Sequence, residues 1–139
     1  MYSPSGYDDM KKYRVLLVLL LLLPMHAIAQ KQDVEMVAMS FFEATSAGNV
    51  GQIRSLIAGP LLESVKVLLN ENKKYPEFLR DRYEGATAEI TNVSMLFDGE
   101  ALVDMAVTFQ GGNTPSYMRL RMSQHKGGRW RIVEQSQVY

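Results

Sequence analysis

The chain contains no cysteine. No disulfide framework can hold it, no thiol nucleophile is available, and cysteine-ligated zinc is excluded. Excess charge of either sign is also missing: 15 basic and 15 acidic side chains leave a formal net charge of +0. Such a balance exerts no long-range pull on nucleic acid or an anionic membrane, so neither is an expected partner. Histidine is scarce, with two residues, and no spaced His/Asp/Glu cluster suggests a metal; neither a metal nor another cofactor is expected. Long hydrophobic runs are missing too. The longest, Val15 to Leu23, has nine aliphatic residues, and counting on to Ala29 gives fifteen mostly apolar ones with Pro24 inside. A bilayer span needs roughly 20.

The flanks of that run give it a meaning. Lys11, Lys12 and Arg14 precede it, and Pro24-Met25-His26-Ala27-Ile28-Ala29 comes after it with a helix breaker and an Ala-x-Ala pattern. A basic region, an apolar stretch and small residues before the cut describe a signal peptide, with cleavage expected between Ala29 and Gln30. The expected product is exported, periplasmic or secreted, and free of the membrane after cleavage. The alternative is an uncleaved anchor on an assembly component. Met10, directly ahead of two lysines, is a second candidate start, which would leave residues 1–9 untranslated. The mature chain from Gln30 to Tyr139 would carry twelve basic and thirteen acidic side chains over 110 residues, enough for one domain with its own core.

From Asp33 the apolar residues recur with helical period. Val34, Val37, Ala38, Phe41, Phe42 and Thr45 share a face, Asp33 is placed to cap the start, and Gly48 to end the helix. Asn49 is expected to cap a second helix with Ile53, Leu56 and Ile57 inward. Ala58-Gly59-Pro60 breaks it and opens a third, whose buried stripe is Leu61, Leu62, Val65, Leu68 and Leu69. Pro76 opens a last helical turn with Phe78, Leu79, Arg82 and Tyr83, its aromatics tucked against the strands expected beyond it, and Gly85 ends it.

Beyond Gly85 the period changes to two. Thr91, Val93, Met95 and Phe97 fall on one face of a first strand, and Ala101, Val103, Met105, Val107 and Phe109 on one face of a second. Met118, Leu120 and Met122 belong to a third strand, Trp130 and Ile132 to a fourth. Asp98-Gly99, Gly111-Gly112-Asn113 and Lys126-Gly127-Gly128 supply the turns; the glycine pairs sit between strands, so they are not phosphate cradles. Keeping the apolar sets together predicts a three-residue loop Asp98-Gly99-Glu100, with Met95 opposite Val103 and Val93 opposite Met105. The same logic sets Met105 against Met122, Val107 against Leu120, Met122 against Trp130 and Leu120 against Ile132.

The fold class expected is α+β: N-terminal helices over about 33–84, packed on a curved four-stranded antiparallel sheet over about 86–137. Helices leading into a meander that ends in Gly-Gly-Arg-Trp-Arg-Ile-Val-Glu resemble the nuclear transport factor 2-like (cystatin-like) superfamily. The opening FFEATSAGNVGQIRSLI is similar to its first helix pair, and the closing strand to its G-x-W-x-I ending. Within it, the chain looks similar to small exported bacterial domains of the lumazine-binding-repeat type. The resemblance implies a cone with a pocket at its open end. It leaves activity open, since the superfamily holds isomerases, dehydratases, hydrolases and cyclases beside non-enzymes.

Catalytic members need titratable groups in the pocket. Here the inner positions are apolar or methionine, so Phe41, Phe42, Tyr83, Met105, Met122 and Trp130 are the candidate walls of a ligand pocket. Met36, Met39, Met95 and Met118 are further expected core or near-core positions. Asp104 falls on the outer face, diagonal to Arg121, and Glu134 is the one inner acid, near a strand end. No catalytic residue is assigned. Asp104, Arg119, Arg121, Arg129 and Arg131 form a candidate partner surface, with homodimerisation through the sheet as one use of it. The leading expectation is an exported binding module for an apolar ligand or a protein partner. The alternative is a small isomerase, dehydratase or hydrolase using Glu134 or Asp104 as base.

Overall fold

A computed structural model describes the backbone of residues 5–139 and the side chains from Met25 onward. The apolar run Val15–Leu23, its basic flank and the first-start question lie outside the residues whose side chains are described. Among the described residues no helix is long and apolar enough to cross a membrane. The chain divides into two compact units, Met1–Gln32 and Asp33–Tyr139. In the first, Met25 and Ile28 are exposed.

Helix α1 spans Ser5–Ala47. Asp33 is therefore an interior residue and not a cap, because Met25 to Gln32 contains no residue that stops a helix. Gly48, at φ +63°, ends it as expected. Helix α2, Val50–Leu56, is capped by Asn49, whose Oδ1 accepts from the Gln52 N–H at 3.1 Å. Helix α3, Gly59–Glu71, carries Pro60 in its first turn, and α4, Tyr75–Arg82, does the same with Pro76. Leu69 and Leu79 are buried, Leu61, Leu62 and Val65 half-buried, whereas Leu68 and Phe78 are exposed, against expectation.

Four strands complete the chain: β1 (Thr87–Met95), β2 (Glu100–Thr108), β3 (Ser116–Gln124) and β4 (Trp130–Val138). They form one antiparallel sheet in sequence order. The inner face of the sheet and the helices share one core, containing Val34, Ala38, Phe41, Ile53, Ile57, Val103, Met105, Leu120, Met122 and Ile132 among others. The outer edge of β4 is covered by the α2–α3 connection: Ile57 bridges Ile132, and the Ala58 N–H donates to the Ile132 carbonyl at 2.9 Å.

Faces were predicted well for β2 and β3, but every register moves. The first loop is Phe97-Asp98-Gly99, closed by the Leu96 N–H to the Glu100 carbonyl at 2.8 Å. Val93 therefore opposes Val103 and Met95 opposes Ala101. Asp98 and Gly99 both need positive φ, so the tip centres on them, and Phe97 is left 93% exposed. Met105 opposes Met118 rather than Met122, and Val107 opposes Ser116 rather than Leu120. That pairing centres the turn on Gly111 and Gly112, with Gly111 at φ +80°. A shift by an even number of residues leaves alternation intact, so composition could not choose between them. At the β3–β4 turn the centre likewise falls on Gly127, giving Met122 opposite Ile132 and Gln124 opposite Trp130.

Two bulges complete the sheet. One lies between Ile90 and Asn92 in β1, leaving Thr91 exposed while Ala88, Ile90 and Val93 pack on the core. The other falls in β4, where Met122 pairs with Ile132 but Arg121 pairs with Glu134, so Val133 is the extra residue. Met36, at 64% exposed, and Met95, at 39%, are not core methionines.

Candidate functional site

The inner face is solid at one end and hollow at the other. At the solid end Ala101, Met122 and Ile132 are fully buried, and Trp130 is 5% exposed with its indole N–H unpartnered. At the other end lies a cavity of about 250 Å³. Helix α1 contributes Phe41, Phe42 and Thr45 to it, the α2 segment Ile53 and Ile57, and α3 Leu61, Val65 and Leu69. From the α4 region come Tyr75, Phe78, Leu79, Arg82 and Tyr83, and from the sheet Met105, Met118 and Gln135. A second hollow adjoins it, sharing Leu61, Arg82, Tyr83, Met118 and Gln135 and adding Phe109, Tyr117 and Gln137.

Of the six wall residues expected from the sequence, Phe41, Phe42, Tyr83 and Met105 line this cavity. Met122 and Trp130 do not. Both sit at the solid end, where Trp130 borders a separate surface hollow with Asp33, Met36, Arg129 and Arg131. The α3 and α4 residues were missed because an amphipathic stripe reads the same whether it closes on core or on a void.

Aromatic contacts frame the hollow. Tyr83 meets Phe42 edge-on at 6.2 Å and Phe109 at 5.5 Å, while the Arg82 guanidinium lies over the Phe109 ring at 4.2 Å. Burial pushes the Tyr83 phenol above the ordinary tyrosine value, with nearby Arg82 opposing part of that; Tyr75 is also raised by burial. Tyrosine is neutral near pH 7 even without such a shift, so both phenols carry their protons there. The Thr45 hydroxyl donates to the Phe41 carbonyl at 2.8 Å, and the Gln135 side-chain amide donates to Met118 Sδ at 3.2 Å. Among the described residues the lining includes no carboxylate and no histidine.

Both carboxylates considered as bases lie on the opposite side of the sheet. Asp104 opposes Arg119 directly, not diagonally to Arg121, and takes a two-pronged pair at 2.7 and 3.0 Å. That bond holds its carboxyl below the usual carboxylate range. Glu134 was expected on the inner face. The Val133 bulge turns it outward, opposite Arg121, with 3.7 Å between the charged groups. The same bulge carries Gln135 to the inner face, opposite Leu120. Neither carboxylate can reach a ligand in the cavity.

The arginines expected to share a partner surface divide. Arg119 is matched by Asp104, and Arg121 by Glu100 at 2.8 Å as well as Glu134. Arg131 donates to the Ser55 carbonyl at the end of α2, and Arg129 is exposed beside Trp130. Among the described residues, acids within the sheet thus match Arg119 and Arg121 but neither Arg129 nor Arg131. Ala29 and Gln30, the expected cleavage pair, both lie inside α1, with Ala29 exposed.

No family model and no curated protein sequence matches the chain. Solved structures do. A provisionally named ketosteroid isomerase from Shewanella frigidimarina superposes with a TM-score of 0.56 at 14% identity, over 76% of this chain and 94% of that one. An NTF-2-like protein of unknown function from Silicibacter pomeroyi does so with 0.54 at 14% identity, over 83% and 98%. The chain has the nuclear transport factor 2-like fold. In this α+β fold, helices close on an antiparallel sheet, and in this chain the hollow lies between the α3–α4 pair and the Met105–Met118 end of that sheet. At 14% identity the likeness carries architecture and no residue roles.

Proposed function

We propose that the chain is a small exported module that binds an apolar ligand in the hollow under α3 and α4, with no catalysis of its own. The supporting observation is the cavity of about 250 Å³ whose walls are aromatic, aliphatic and methionine side chains. Sites for small molecules are mostly apolar with a few placed polar groups, which is the composition here. Scaled from a cavity of roughly 150 Å³ that takes benzene, this one holds about ten non-hydrogen atoms. The catalytic alternative loses its two candidate bases, because Asp104 and Glu134 stand on the far face.

Decanol is a suitable probe. Its titration should shift the methyl NMR signals of Met105 and Met118 and leave that of Met122, at the solid end, in place. Val65→Phe fills the hollow and should abolish those shifts while the fold persists. Equal shifts at all three methyls, or none, would sink the ligand reading. Export rests on the basic flank, apolar run and Ala-x-Ala pattern. Mass spectrometry of the mature protein should find Gln30 as its first residue; a retained Met1 or Met10 refutes cleavage.

A further inference from the structure

The cavity is apolar, but its rim is not neutral. Arg82, an exposed residue, lines both the main hollow and the adjoining one. It makes no ion pair among the described residues; its guanidinium is occupied by the face of Phe109 alone. This contrasts with Arg119 and Arg121 on the outer face, each matched to a carboxylate. Other polar groups at the hollow are neutral or committed. Thr45 is bonded to Phe41, and Gln135 to Met118. The phenols of Tyr75 and Tyr83 are protonated at neutral pH, as tyrosines ordinarily are, and burial shifts both further in that direction.

We infer that the ligand is an amphipathic carboxylate: an apolar body of about ten atoms in the cavity, and an anionic head at the rim on Arg82. The proposal rests on the apolar-ligand reading above and adds the charge and the polarity of the bound orientation. Three points favour it. A guanidinium presents a planar fork that fits a carboxylate in two-point contact. Its seat over Phe109 holds it at the rim, where the head stays wet and no buried charge is created. The neutral phenols provide no competing anion and are free to donate.

The test compares decanoate, decanol and decylamine on the full-length protein, which share one apolar body. Decanoate should bind about fivefold tighter than decanol, the scale of a solvent-exposed ion pair, and decylamine weaker than either. Added salt should erode the decanoate advantage and leave decanol unaffected. In R82Q the ratio of decanoate to decanol affinity should fall to about one, and R82K, which keeps the charge, should restore much of it. Decanol binding without preference for decanoate overturns the carboxylate inference while the apolar-ligand reading stands. A preference that survives R82Q overturns the role of Arg82. Absence of binding by both decanol and decanoate overturns both readings.

Discussion

At one end of the inner sheet face Ala101, Met122 and Ile132 are sealed with Val34 and Ala38 in a core with no exposure. At the other, Met105 and Met118 border a hollow of about 250 Å³. The two ends are made of the same residue types and the same alternation. What differs is the cover. Helix α1 spans both ends, from Asp33, Met36 and Val37 at the surface hollow beside Trp130 to Phe41, Phe42 and Thr45 at the cavity. Ala38 and Ala44 are its small buried residues. At the cavity the cover also includes α3 and α4, short helices that each restart at a proline, with Tyr75 and Phe78 of α4 and Tyr83 just after it as bulky side chains at the hollow. The hollow in this chain is thus the place where the short helices α3 and α4 share the cover with α1.

Truncation measures that contrast most directly. Met122→Ala should cost about 2–5 kcal/mol in urea unfolding, as for a close-packed methionine. Met105→Ala, already bordering empty space, should cost about half as much, because fewer neighbours are lost. Equal losses would remove the distinction between the ends.

A smaller effect tests what holds α4 over the hollow. A Cβ on Gly48 would sit 2.4 Å from the Pro76 carbonyl oxygen and 3.1 Å from Arg80, at φ +63°. Gly48→Ala should cost about 2 kcal/mol, from left-handed strain and the displaced helix. It should move the Met105 and Met118 methyl signals and spare Met122. A perturbation spread evenly over all three would mean that α4 is not the lid of one end only.

The smallest expected effect is a titration. Tyr83 has its folded pKa raised by burial, so it contributes stability below the unfolded tyrosine value of about 10 and loses it as pH climbs through the folded value. Urea midpoints should therefore fall more steeply above about pH 10 in the native chain than in Tyr83→Phe. Identical slopes would show that the ring is not buried at the hollow.

Much of this was legible in the residues. Asn49, Pro60, Pro76 and Gly85 act locally, through capping bonds and fixed or permissive φ, so helix boundaries could be read from them. The faces of β2 came from alternation, because burial on one side of a strand has period two. Register did not, since pairings shifted by an even number bury the same side chains, and only the glycine at each tip distinguishes them.

By itself the sequence determined an α+β chain with an apolar inner sheet face, turns at its glycines, and no thiol. Tertiary structure alone decided which inner residues meet a void, and what chemistry borders it. One residue shows why. Without the bulge at Val133, regular alternation would carry Glu134 inward to oppose Leu120; with it, Glu134 joins Arg121 outside and the uncharged Gln135 takes the place at the cavity. Alternation is local, but a bulge answers to the pairing of two strands at once.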